Sequence, residues 1–134
     1  ARAAVFIAGG IGITPFLSML RQAAHDRLPQ SLVLLYSNRR PEDAAYLNEL
    51  TTLEQRNDRF RCIATMTSMT SSKQAWTGSI GPIDEALVQR ALAELASPVC
   101  YVAGPPGMVE AMRQTLADAG VNDADIRSEE FYGY

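Results

Sequence analysis

A doubly wound α/β domain is the fold class this sequence predicts: a parallel sheet of about five strands, order 3-2-1-4-5, with helices on both faces. Three observations predict it. Short apolar runs recur without a polar alternation, which suits strands covered on both faces. Helical patterns of about 10 to 15 residues separate these runs, which implies right-handed crossovers. Glycine, proline, serine, threonine and arginine collect where the runs end.

The elements follow in order. Runs rich in Val, Ile, Phe and Tyr occur at 3–8 (AAVFIA), 31–37 (SLVLLYS), 60–66 (FRCIATM) and 98–104 (PVCYVAG). The first helix is expected over 15–27, with Phe16, Met19, Leu20 and Ala23 on one face and Pro15 in the first turn, where a missing N–H costs nothing. A second is expected over 41–57, where Pro41, Glu42 and Asp43 suit a helix start and Ala45, Leu47, Leu50 and Leu53 supply the apolar face. Residues 83–95 and 106–120 repeat the pattern, with Gly120 as a stop signal. An extended stretch, 125–134, ends the chain, and 67–82 is the one long irregular segment.

At 134 residues and 47% apolar, the chain is read as a single domain, 1–134, able to bury its own core. A net charge of −3 and scattered basic residues give no reason to expect nucleic acid. No stretch approaches the roughly 20 apolar residues of a membrane span, and no secretion signal is visible. Cys62 and Cys100 lie in separate apolar runs without a CxxC spacing, so they read as packing thiols of a cytoplasmic protein, and no metal site is expected.

In such sheets ligands bind beyond the carboxyl ends of the strands, at the point where neighbouring connections leave toward opposite faces. The segments expected there are 9–15, 37–41, 67–72 and 104–108. The first holds Gly9, Gly10, Gly12, Thr14 and Pro15, a turn that lets a phosphate approach backbone N–H groups at a helix start. It lacks the Gly-Lys-Ser/Thr ending of a nucleoside triphosphatase loop, and Pro15 stands where the usual dinucleotide fingerprint has its third glycine. A second glycine-bearing turn, AGPPGM at 103–108, follows the fourth strand, so two turns would frame an elongated phosphate-containing ligand.

VFIAGGIGITPFLSML, YVAGPPGMVEAM and IRSEEFYGY resemble, in order, three motifs of the NAD(P)-binding domain of the ferredoxin–NADP reductase family. The resemblance implies that a nicotinamide cofactor delivers hydride to the flavin of a partner domain. It implies that Gly10, Gly12 and Thr14 line the pyrophosphate and nicotinamide side, with Thr14 nearest the flavin. Gly104, Pro105, Pro106 and Met108 would bound the opposite side, and Glu130 with Phe131 would form the acidic-aromatic pair near the flavin. Thr14, Glu130 and Phe131 are thus the candidate catalytic residues. Ala103 stands where the family often has Cys, so the turn is kept and the thiol is not.

Family members carry a flavin-binding barrel with an Arg-x-Tyr-Ser-type motif, which this chain lacks. FAD or FMN is therefore expected on a separate domain, in the same gene or on another chain. An electron acceptor such as a ferredoxin or another iron–sulfur protein is expected beyond it. Alone, the domain is expected to bind nicotinamide nucleotide weakly and to catalyse nothing.

For cofactor choice, Ser37, Asn38, Arg39 and Arg40 follow the second strand with no acid before Glu42, which favours NADP over NAD. Thr67 begins the segment after the third strand, and Ser68 stands where NADP-selective relatives often carry a second Arg, which weighs the other way. Two rival readings have specific signatures. A dehydrogenase acting directly on a small substrate needs a general acid or base, yet the sole histidine, His25, falls near the end of the first helix, away from the strand ends. A nucleotide-binding regulatory module without redox chemistry fits the same motifs.

Overall fold

The computed structural model describes residues 2–131. Along the chain run β1 (Ala4–Gly9), α1 (Thr14–Asp26), β2 (Leu32–Asn38), α2 (Leu47–Arg56), β3 (Phe60–Met66), β4 (Ser79–Ile80), α3 (Glu85–Leu92), β5 (Val99–Gly104), α4 (Pro106–Asp118) and β6 (Ile126–Glu130). They form one sheet in the order β4-β3-β2-β1-β5-β6, with every neighbouring pair parallel. The five expected strands keep their expected order. A sixth, the two-residue β4, joins the β3 edge out of the segment expected to be irregular.

The sheet is covered on both faces because its middle strands have no polar side. All six residues of β1 are buried, as are Leu34 and Leu35 of β2 and Val102 of β5. Phe6, Leu34 and Tyr36 point to the face covered by α1 and α2, where they meet Phe16, Leu17, Leu20, Leu50 and Leu53. Val5, Ile7, Leu35 and Val102 point to the other face, against Leu87, Val88, Met112 and Leu116 of α3 and α4. Alternation of side chains along each strand divides one apolar run between two cores.

Three boundaries differ from the sequence expectation, each for a local reason. The pattern over 41–57 is broken: Pro41–Asp43 forms a 3-10 turn and α2 starts only at Leu47. The Tyr36 hydroxyl donates to the Ala45 carbonyl at 3.0 Å, and Tyr46 takes a left-handed backbone with φ 68°. That bond diverts the chain between the two pieces. Residues 67–82 are more ordered than expected, holding a 3-10 turn at Met69–Ser71 and then β4. Trp76 closes this segment by donating from Nε1 to the Ser79 carbonyl at 2.9 Å. Of the stretch expected to be extended at 125–134, residues 126–130 are β6, and Tyr132, Gly133 and Tyr134 lie outside the described residues.

One backbone contact fixes how the turn after β1 meets β5. Gly10–Ile13 is a 3-10 turn, and Gly10 has φ 55°, a left-handed conformation that glycine adopts without steric cost. Two residues on, a Cβ at Gly12 would collide with the Ala103 carbonyl oxygen and stand 2.6 Å from the carbonyl carbon. The obstacle is backbone at the end of a central strand, so it has nowhere to move. Gly12→Ala is expected to destabilise the domain by about 2–3 kcal/mol, an overpacking cost, read as a lower urea midpoint at unchanged slope.

Candidate functional site

The carboxyl ends of the strands open into a cleft of about 940 Å³. This lies toward the upper end of the roughly 300–1,000 Å³ typical of small-molecule and cofactor sites. The cleft straddles β1, where crossovers toward β2 and β5 leave on opposite faces.

One end is built by the two helix starts. Gly9, Gly10, Ile11, Ile13 and Thr14 line it from the β1 side, and Pro105 and Met108 from the β5 side. Both α1 and α4 run 13 residues, carry proline in the first turn and have no acidic residue there. The positive dipole ends of both helices are therefore left to an anion, although the Thr14 N–H at the start of α1 already donates to the Ile11 carbonyl. The two turns are clasped by Met108. Its Sδ fills the space in which a Cβ at Gly9 or Gly104 would have to sit. A thioether is flexible enough to fill so irregular a gap.

The other end comes from the segments after β2 and β3. Ser37, Asn38, Arg39, Arg40, Asp43, Ala45, Tyr46, Thr67, Ser68 and Ser71 line it. The two segments are tied by main-chain bonds from Thr67 N–H to the Asn38 carbonyl at 2.9 Å and from Ser68 N–H to the Arg39 carbonyl at 2.8 Å. Asn38 is 8% exposed, and its Nδ2 is buried beside the Tyr36 hydroxyl, with no well-aligned hydrogen-bond partner among the described residues. Burial raises the pKa of that hydroxyl, so Tyr36 is a neutral donor to Ala45 and not a base.

The arginines differ. Arg40 donates from Nε and a terminal nitrogen to the two carboxylate oxygens of Asp43, each at 2.8 Å, which raises the Arg40 pKa and lowers that of Asp43. The Arg39 side chain is exposed, with no ion-pair partner among the described residues. Glu42, between them and Asp43, faces the β3 segment. Its carboxylate accepts from the Lys73 backbone N–H at 2.8 Å and the Ser72 hydroxyl at 2.7 Å, and these bonds hold its pKa below the usual value.

Most sequence-predicted residues thus meet in one cleft, but several stand behind its wall. Gly12, Ala103 and Gly104 are buried under the clasped turns, and Pro15 and Pro106 sit in the first helical turns without lining the cleft. Glu130 is paired in register with Gly104, and the Phe131 N–H donates to the Gly104 carbonyl at 2.9 Å. Both are therefore at the carboxyl edge of β6, alongside the helix starts. Arg113 of α4 holds that strand by donating to the Ser128 hydroxyl at 3.0 Å. Tyr46 and Asp43, which line the cleft, carried no functional signal in sequence because both fit a helical pattern.

His25 is solvent-facing beside Asp26, far from being a buried acid or base. Burial pushes the thiols of Cys62 and Cys100 up to about 12 and about 11, so both are unreactive packing groups. Among the described residues no group of His, Cys, Asp and Glu could hold a metal ion, and no helix is long and apolar enough to cross a membrane.

Residues 6–114 match the oxidoreductase NAD-binding domain family. The chain belongs to it. The three motifs and the fold place it as the NAD(P)-binding domain of the ferredoxin–NADP reductase family. Over 130 residues the chain is 33% identical to the anthranilate 1,2-dioxygenase electron transfer component of Acinetobacter baylyi, covering 97% of this chain and 37% of that protein. It is 32% identical over 124 residues to an NADPH nitrate reductase of Emericella nidulans, covering 91% of this chain and 14% of that protein. The cytochrome b5 reductase domain of Ulva prolifera nitrate reductase shares the fold, with a TM-score of 0.80 at 24% identity over 96% of this chain and 50% of that one. This NAD(P)-binding domain therefore spans well under two thirds of each of these relatives.

The Glu42 clasp yields a pH prediction. A carboxyl whose folded pKa is depressed contributes fully above its unfolded value of about 4.3 and loses its contribution as pH falls through the lower folded value. NMR titration should show the Lys73 amide resonance shifting downward through that acid range. In Glu42→Gln, Lys73 amide protection at neutral pH should drop about threefold, as expected when a charge-assisted bond is replaced by a neutral one weaker by about 0.7 kcal/mol.

Proposed function

We propose that this NAD(P)-binding domain positions a reduced nicotinamide nucleotide for hydride transfer to a flavin held on a separate domain, and that the flavin passes electrons to a redox partner. The observation that carries the reading is the cleft itself, with two acid-free helix starts clasped side by side at one end and a polar, arginine-bearing rim at the other. This polarity matches a ligand with an anionic middle and two heterocyclic ends. The orphaned Asn38 Nδ2 at the cleft wall is a further donor for such a ligand.

When bound, a reduced nicotinamide supplies the hydride. The protein's share is placement. Gly10, which lines the cleft, lets the pyrophosphate approach the main chain, while Gly9, Gly12, Ala103 and Gly104 hold the two turns in contact. Thr14, Pro105 and Met108 confine the nicotinamide end, and Pro15 and Pro106 set the starts of the two helices. Thr14, Glu130 and Phe131 are the residues proposed to face the flavin. Ser37, Asn38, Arg39, Arg40 and Thr67 take the adenosine end, with Arg39 as the contact for a 2′-phosphate.

The partners proposed are a flavin-binding domain carrying FAD or FMN and an electron acceptor of the iron–sulfur or haem class. Two free thiols, the half-buried Cys62 and the buried Cys100, support a reducing compartment, the cytoplasm. A regulatory module without redox chemistry would use the same cleft, and supplying a flavin domain in trans separates the two. Hydride transfer from NAD(P)H supports the reductase reading, and nucleotide binding without it supports the module.

NMR-monitored titration of the domain with NADPH and NADH should give saturable shifts at the β1 and β5 turns. No shift with either would overturn the reading. Arg39→Ala should weaken NADPH about tenfold, the worth of a hydrogen bond to a charged group, and change NADH less than twofold.

A further inference from the structure

The paired state of Arg40 carries an inference that rests on the nucleotide-site reading above. Arg39 and Arg40 leave the end of β2 side by side, and both line the adenosine end of the cleft. Their situations are opposite. Arg39 is exposed and open, whereas the Arg40 fork is filled by both oxygens of Asp43 at 2.8 Å each. The pair follows from the local backbone. Pro41–Asp43 is a 3-10 turn with Asp43 N–H donating to the Arg40 carbonyl at 3.0 Å. Side chains three apart eclipse in such a turn. Asp43 itself lines the cleft, and its side chain is partly exposed while paired with Arg40.

A carboxylate seated fork-to-fork on a guanidinium uses the same two donors that a phosphate monoester would use. We propose that Asp43 is a specificity-determining residue. By occupying Arg40 and placing a negative charge beside Arg39, it lowers the affinity of the cleft for nucleotides that carry a 2′-phosphate and leaves those without one unaffected. A 2′-phosphate must either displace Asp43 from Arg40 or bind on Arg39 alone against a neighbouring carboxylate. A ribose with a free 2′-hydroxyl meets neither cost. Glu42 cannot stand in for Asp43, because its carboxylate is turned to Ser72 and Lys73.

The test is a double-mutant cycle on binding. NADPH, NADH and 2′,5′-ADP are titrated against the parent domain, Asp43→Asn, Asp43→Ala, Arg40→Gln and Arg40→Gln/Asp43→Asn, with thermal midpoints recorded to confirm folding. Asp43→Asn is expected to tighten NADPH and 2′,5′-ADP about tenfold and to change NADH less than twofold. Arg40→Gln alone is expected to weaken NADPH, because it leaves the Asp43 carboxylate uncompensated beside Arg39, and Arg40→Gln/Asp43→Asn is expected to bind NADPH more weakly than Asp43→Asn, because the freed fork is gone. Asp43→Ala provides the same reading should the asparagine variant be poorly folded. An unchanged NADPH-to-NADH ratio in both Asp43 variants would overturn the inference, as would equal NADPH affinity in Asp43→Asn with and without Arg40. Failure of the parent domain to bind any of the three ligands would instead remove the nucleotide-site reading, and this inference with it.

Discussion

The site depends on two strand-to-helix turns being held in van der Waals contact at the centre of the sheet. β1 and β5 are in register up to Ala8 and Ala103, and the chain leaves them toward opposite faces. That divergence opens a crevice, but its width is set by what fills the gap between the turns. Gly12 rests on the Ala103 carbonyl, and the Met108 thioether lies over Gly9 and Gly104. With the turns so joined, the starts of α1 and α4 stand side by side at one end of the cleft. Dipole ends arranged before any ligand arrives lower the ordering cost of binding.

The far end is preorganised by different means. There the segments after β2 and β3 are joined by backbone bonds at Thr67 and Ser68 and by the Glu42 carboxylate on Ser72 and Lys73. Charges on that rim largely cancel: Arg40 is matched by Asp43, and Glu42 lies between them, so Arg39 is the cation left unmatched. A rim with one open guanidinium differs from the two-arginine rim that the sequence YSNRR suggests. The difference arises from a carboxylate three residues beyond Arg40, brought back by a single 3-10 turn.

What was legible in the sequence follows from range. The five principal strands and their order could be read because runs such as AAVFIA and SLVLLYS have no polar face and so must be covered on both sides. The cleft could be placed because the wound topology puts strand ends there. β4 could not be read: two residues leave no periodic signal. The break before α2 was equally hidden, since Ala45, Leu47, Leu50 and Leu53 continue a helical stripe through it. Only the Tyr36 hydroxyl, from another strand, picks out Ala45 and forces the bend. Gly12 was legible as a glycine of a phosphate turn, yet the reason no other residue fits is a carbonyl 91 positions away in the chain, at Ala103.

Gly104 is where these constraints meet. On one side its Cα lies against the Met108 sulfur that clasps the nucleotide turns, and on the other its carbonyl accepts from Phe131 at the end of β6. The residues proposed to face the flavin come from opposite sides of this point, Thr14 from the turn after β1 and Glu130 with Phe131 from β6. Thr14 is not joined to Glu130 and Phe131 by any shared loop. Their relative placement is carried by backbone pairing across β1, β5 and β6, which is stiffer than any side-chain contact. Hydride transfer tolerates little error in donor–acceptor geometry, so a hydrogen-bonded ladder is the right element to set it. By the same reasoning the proposed positioning needs no thiol at Ala103, since the turn that Ala103 supports, and not its side chain, holds the two strand ends together.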